Sequence, residues 1–348
     1  WGPRMVGQEY IPWYAWYPGH ERSFKTASLT PQPSNAADFY NTGITTNSNI
    51  NFSKATDNYN IRASYSNLDI KGMIPTSKLK RNMLTLNASM DLNSHFTFST
   101  NINYVTQNTD GNFDQAYSNA TTGSFNQWFH RDLDMNIMRE LQYLTNTDGT
   151  LASWNHGNPS ATSNNATILK GNYWYNPYSF QNNKINKAHR DRLYGNMALT
   201  YKVNNDLSVK LTYRKAQNTT YNEGITTTLL EKSATQTGEK ASYGVSQTNW
   251  NKQNIEGLIS YNKKFKSLSV GVNAGFDIFS EEYRAVATST KDGLTIDNLY
   301  SLSNSKSPVN YSSQLTKDKY RAIFATAVLG FRNFFFVDGT ARQDYFST

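Results

Sequence analysis

Apolar and polar residues alternate one for one over long stretches, again and again along the chain. Leu84, Leu86, Ala88, Met90 and Leu92 share one parity, and Thr85, Asn87, Ser89 and Asp91 the other. Successive side chains of an extended strand point to opposite faces, so such a segment has one apolar and one polar face. Asn93-Ser94 marks a turn, after which Phe96, Phe98, Ile102 and Tyr104 alternate with Thr97, Ser99, Asn101 and Asn103. The same figure returns in Leu193–Val203 and Leu207–Arg214, joined at Asn204–Asp206, and in Ile255–Tyr261 and Leu268–Ile278, joined through the Lys263–Lys266 stretch. An earlier pair runs near Gly43–Lys54 and Asn58–Leu68, and a last pair near Tyr320–Phe331 and Phe334–Asp344, turning at Arg332-Asn333. The pattern predicts about ten antiparallel strands in five hairpins.

Two properties of these strands narrow the architecture. They run about 10–13 residues by pattern, against about 5–6 for a soluble strand and about 9–11 for a tilted membrane-spanning one. Their apolar stripes hold no Lys, Arg, Asp or Glu, and Tyr or Phe often stands at their ends. An outward apolar band with aromatic girdles and a polar interior reads this way, and so does a two-layer soluble β domain burying the same stripes. The connections favour the barrel. Tight turns alternate with long excursions, the longest from about 110 to 190, as periplasmic turns alternate with extracellular loops. Within it, Leu133, Ile137, Met138 and Leu141 repeat at helical spacing, predicting a short helix near Asp132–Leu144, and Thr147-Asp148-Gly149 reads as a turn.

Composition agrees. Hydrophobic residues make up 37% and charged residues 17% of the 348, so uncharged polar residues carry the excess, including 42 Asn. Aromatics at 14% exclude a disordered chain. Mean hydropathy is −0.67, and no 18-residue apolar run exists to form a membrane helix. The absence of Cys removes disulfides and thiolate chemistry together. The net charge of +8 is spread along the chain, unlike the clustered footprint of a nucleic-acid binder, so no nucleic acid is expected. The five His form no zinc motif, and no G-x-S-x-G, Walker-type or G-x-G-x-x-G segment occurs. Asp132 and Asp134 splay apart at their spacing and read as solvated surface. Asp110, Asn112 and Asp114 alternate like calcium ligands, but the rest of that loop pattern is missing. The chain reads as a non-enzyme that needs no cofactor and no metal.

Several segments resemble the SusC/RagA-like TonB-dependent outer-membrane transporters of Bacteroidetes. Trp1-Gly2-Pro3-Arg4-Met5-Val6-Gly7-Gln8 is similar to the family's S-W-G-P-K-L-D-G-Q, with Val6 in place of Asp. Phe39-Tyr40-Asn41-Thr42-Gly43 resembles its F-F-x-T-G strand opening, and Tyr59–Tyr65 with Lys71–Pro75 its Y-R-x-S-Y…G-x-I-P hairpin. Asn176-Pro177-Tyr178, His189-Arg190-Asp191-Arg192 and Arg342–Thr348 resemble its N-P-Y, R-D-R and R-x-D-W-S-S-T elements, with Tyr345 for Trp and Phe346 for Ser. The matches keep the family's order along nearly the whole chain.

The resemblance implies an all-β fold, an antiparallel transmembrane β-barrel that is part of a 22-stranded whole. Residues 1–42 would then lead into the barrel and 43–348 form part of its wall. The N-terminal plug, the TonB box and the C-terminal strands would lie outside this chain. It further implies import of an oligosaccharide or peptide, a SusD-like surface lipoprotein as partner, drive from TonB-ExbB-ExbD, and outer-membrane lipid around the wall. No catalytic residues come with it.

The aromatic clusters at Trp13–Tyr17 and Tyr173–Tyr175 lie outside the strands, where flat rings beside amide groups suit sugars or peptide backbones and serve equally as loop packing. Trp128, Arg131, Trp174 and Tyr175 are the candidates for lining the substrate path or the lipoprotein contact. The alternative function is a soluble or surface-attached, adhesin-like glycan-binding β protein, which leaves the charge-free stripes of spanning length unexplained.

Overall fold

The computed structural model describes residues 2–111, 125, 129–159, 166–233 and 237–347. A two-residue pair, β1 (Glu9–Tyr10) with β2 (Ala27–Ser28), stands apart. All other strands form one antiparallel sheet in sequence order. They are β3 (Ile44–Ala55), β4 (Tyr59–Lys71), β5 (Lys78–Asp91), β6 (Phe96–Asp110) and β7 (Lys184–Lys202). β8 (Leu207–Thr226), β9 (Ser242–Phe265), β10 (Leu268–Leu294), β11 (Ser305–Phe331) and β12 (Phe335–Ser347) complete it. The predicted ten strands and five hairpins are all present, and β3 and β12 each keep one unpaired edge.

The register carries the alternation across the sheet. Ile50, Tyr65, Leu84, Tyr104 and Leu193 oppose one another in a row over β3–β7. Met197, Tyr213, Ile255 and Ile278 continue the apolar face over β7–β10, and Val270, Leu329 and Val337 over β10–β12. On the other face Asn87, Asn101, Asn196, Arg214 and Asn254 form an equivalent polar row.

Burial on the two faces is the reverse of that in a water-soluble protein. Leu84, Leu211 and Ile323 are 54%, 51% and 58% exposed, whereas Asn103, Thr212 and Asp277 are 9%, 4% and 9% exposed. Side chains crowd on the inside of a curled sheet and splay on its outside, so the polar face is the concave one. The β10 stripe from Leu268 to Ile278 runs about 33 Å along the strand, or about 25 Å of height at a tilt of about 40°, which is the apolar band of a barrel wall. Tyrosines rim its upper edge with their hydroxyls turned away from it. Tyr65 donates to Asn82 at 2.8 Å and Tyr104 to Asp191 at 3.1 Å. At the lower edge Phe96 stacks on Tyr201 with centroids 4.7 Å apart. Mid-band, the Phe276 ring lies across Gly257, where a β-carbon would sit 2.3 Å from it.

Local chemistry explains the tight turns. Asn93 Oδ1 accepts from the amides of His95 and Phe96 at 2.8 and 2.9 Å, and Asn204 Oδ1 accepts from those of Asp206 and Leu207 at the same distances. Arg332 and Asn333 both take positive φ, 53° and 54°, matching the primed turns that suit twisted hairpins.

Three boundaries differ from the sequence expectation. The β9–β10 turn is Lys266-Ser267, so Lys263 and Lys264 belong to β9. The short helix is Met135–Glu140, capped by the Asp134 carboxylate on the Asn136 amide. The strands are longer than the pattern indicates, reaching 24, 27 and 27 residues in β9, β10 and β11. Beyond the apolar band both faces of a strand are wet, so alternation fades while the backbone ladder continues.

Candidate functional site

The connections on the upper side gather with the N-terminal segment into a cap. Phe39, Ile74, Leu133, Met135, Met138, Trp154 and Tyr178 form its first core, against which Trp13, Phe125, Phe129 and Trp174 pack. Leu151, Tyr175, Phe180 and Leu230 form a second. Polar ties join the pieces. Arg22 meets Glu140 at 2.9 Å, Lys184 meets Glu239 at 2.8 Å, and Thr228 donates to Asn298 at 2.8 Å. Asn176, the helix cap preceding Pro177–Asn183, is fully buried and donates to the Met138 carbonyl at 2.8 Å.

The structure places three of the four candidate residues, each differently. Arg131 is exposed, with its guanidinium 3.4 Å from Asn35 Oδ1 and its carbonyl accepting from the Gln32 amide. Trp174 is half-buried at the edge of the first core, its backbone held by the Ser153 hydroxyl and the Asn155 amide oxygen. Tyr175 is 1% exposed, and its hydroxyl reaches the Leu230 carbonyl at 3.3 Å and Thr237 at 2.8 Å. Burial pushes that phenol up to about 12. In this conformation it is a core residue of the cap. Trp128 lies outside the described residues, as do Asn112 and Asp114. Tyr17, from the other aromatic cluster, is likewise fully buried, donating to the Leu169 carbonyl at 2.6 Å. Tyr143 and Tyr173 stay exposed, at 73% and 59%. Among the described residues no group of three His, Cys, Asp or Glu could hold a metal ion.

Below the cap, the concave face is a hydrogen-bonded polar wall. Thr85 donates to Asn103 at 2.9 Å, Asn103 to Asn101 at 2.8 Å, and Asn101 in turn to Asn87. Arg214 reaches Asn254 at 2.7 Å and Glu256 at 3.1 Å; Tyr320 and Arg342 both meet Asp277, at 3.1 and 3.5 Å. Near the cap the wall is dented by a cavity of 210 Å³ bordered by Arg81, Gln107, Arg190, Arg192 and Tyr194. A larger concavity of 470 Å³ above it is bordered by Thr109, Asn186, Asn222 and Ser246. The arrangement offers amides, hydroxyls and guanidiniums to a polar solute. Sequence reasoning did not assemble the arginine set; its signal is parity, since all three fall on the polar side of the alternation.

No family model matches the sequence, and no curated protein matches it. Solved structures do. The chain superposes on the RagAB peptide transporter with a TM-score of 0.62 at 14% identity, covering 92% of this chain and 32% of that one. The RagAB peptide importer in its open-open state gives a TM-score of 0.71 at 14% identity, with 90% and 33% covered. The closed-closed state gives 0.64 at 15% identity with the same coverage. The likeness shows the fold alone, a wall of antiparallel β-barrel strands. The chain spans about a third of the length of the chains it matches.

Proposed function

We propose that this chain forms part of the wall of a TonB-dependent importer in the outer membrane, of the SusC/RagA-like kind found in Bacteroidetes. The observation that carries the reading is the inverted sheet, apolar side chains exposed around a polar concave wall, on a fold shared with a peptide importer. The cargo is an oligosaccharide or peptide, held by the amides and guanidiniums of the wall. A SusD-like surface lipoprotein covers the cap, and TonB-ExbB-ExbD supplies the pull. Further strands pair with the free edges of β3 and β12 to complete a 22-stranded ring. Trp128, Arg131 and Trp174 contact the cargo or the lipoprotein, and Tyr175 supports them from the core of the cap.

The test is extraction of the native polypeptide from carbonate-washed outer membranes, followed by intact mass and uptake measurements. A membrane species near three times the 39.5 kDa of this chain, co-eluting with a lipoprotein and losing uptake without TonB, is expected. A water-soluble species near 39.5 kDa would replace the importer with a secreted glycan-binding protein. Replacement of Arg131 and Trp174 by Ala should reduce uptake or lipoprotein co-elution while barrel assembly persists; unchanged uptake and co-elution would remove both residues from the contact.

A further inference from the structure

Two guanidiniums of the polar wall are matched with carboxylates, whereas Arg62 and a group of three arginines carry no ion pair among the described residues. Arg214 pairs with Glu256 at 3.1 Å and Arg342 with Asp344 at 2.8 Å. Among the described residues no ion pair reaches Arg81, Arg190 or Arg192, although all three border the same 210 Å³ dent and all three are exposed. The register explains their assembly. Gln107 on β6 stands directly opposite Arg81 on β5 and directly opposite Arg190 on β7, so the two arginines flank it about 10 Å apart. Arg192 follows Arg190 on the same face, about 7 Å along the strand. Neighbours preset two of the side chains. Asn218 Oδ1 takes the Arg190 Nε–H at 2.7 Å, leaving its terminal nitrogens free, and the Arg192 guanidinium lies over the Tyr194 ring at 4.6 Å. The dent sits just above the row of Tyr104 and Leu193 that closes the apolar band, and below the cap. Three positive charges, two of them held in place, therefore face the space through which a solute descends.

We propose that Arg81, Arg190 and Arg192 form a carboxylate-binding site for an acidic peptide in extended form. The guanidinium fork takes a carboxylate in bidentate fashion. An extended peptide lying along β7 places side chains i and i+2 on one side about 7 Å apart, the spacing of Arg190 and Arg192, and Arg81 receives a third acidic group across Gln107. The inference rests on the importer reading and narrows its cargo.

The experiment uses the native complex purified from outer membranes in detergent. Binding is measured for a peptide with Glu at alternating positions and for the same peptide with Gln, at low and at raised salt, and uptake of both is followed in cells. Wild type should prefer the Glu peptide by about tenfold or more at low salt, with the preference shrinking as salt rises. Combined Arg81→Gln, Arg190→Gln and Arg192→Gln should erase the preference, weakening the Glu peptide by about tenfold more than the Gln peptide, while heat-modifiable migration stays as in wild type. Equal binding of both peptides by wild type would overturn the proposal. So would a preference that survives the triple replacement, or displacement by an oligouronate but not by the Glu peptide, which would give the site to acidic sugars. Loss of the Glu preference in the triple variant with peptide uptake still measurable separates this site from the importer reading; failure of wild type to take up any peptide or oligosaccharide would sink both.

Discussion

Val272 and Asn273 are neighbours in β10 at nearly one depth, and they offer a direct test of which face meets lipid. Val272 lies on the apolar face between Tyr261 and Ala327; Asn273 lies on the polar face between Ser260 and Thr326. The apolar stripe of β10 runs from Leu268 to Ile278, so both positions fall within about one residue of its centre. An arginine at mid-depth on a lipid-facing site costs about 2–4 kcal/mol, and the cost shrinks toward either edge. Val272→Arg should therefore lower the folding equilibrium constant by roughly thirty-fold to several-hundred-fold. Asn273→Arg gives up an amide that donates to Thr326 at 3.3 Å, worth about 1 kcal/mol, and leaves its charge in the wet interior. Urea unfolding of the native polypeptide in lipid vesicles, with heat-modifiable gel migration as a check on assembly, reads the difference. Equal losses for the two variants, or a larger loss for Asn273→Arg, would refute the assignment of faces.

Three further outcomes follow from particular contacts. Gly257→Val should displace the Phe276 ring and cost about 1–3 kcal/mol, and adding Phe276→Ala should recover part of that loss; a neutral Gly257→Val would mean the ring does not rest there. Tyr175→Phe removes the hydroxyl shared by Leu230 and Thr237, so limited proteolysis of the cap should quicken, by about 1 kcal/mol of opening, with barrel migration unchanged. Burial raises the Asp148 carboxyl, but the Thr150 amide and hydroxyl and Lys170, 3.4 Å away, outweigh it and hold the group below the usual carboxylate range. A lowered folded value gives stability that is fully present above the unfolded value of about 4 and is lost as pH falls from there through the folded value, so cap protection should weaken below about pH 4 in wild type and show no such step in Asp148→Asn.

The hairpins were legible because a strand with lipid on one side and water on the other must alternate. Leu84–Leu92 and Leu268–Ile278 declare themselves for that reason. The upper half of β11 was not legible. Its Ser312–Gln314 stretch is exposed and polar on both faces, and backbone pairing with β10 keeps it extended. The cap was partly legible. Helical spacing located Met135–Glu140, but nothing periodic marks Tyr17 or Tyr175 as core rather than contact residues, since their burial depends on Ser153, Leu169, Leu230 and Thr237 far along the chain. The arginine set needed register as well as parity, because Arg81 and Arg190 meet only through Gln107.

In the large sheet every strand bonds only to the strands next to it in sequence, and this fixes how such a wall can change length. Each strand reverses the chain's direction, so removing one would send every later long connection to the opposite side of the membrane. Removing an adjacent pair restores the polarity and asks only the two newly exposed edges to find each other. Growth and loss of the wall are thereby confined to steps of one hairpin, and insertion can proceed in the order of synthesis with no strand waiting for a distant partner until the ring finally closes.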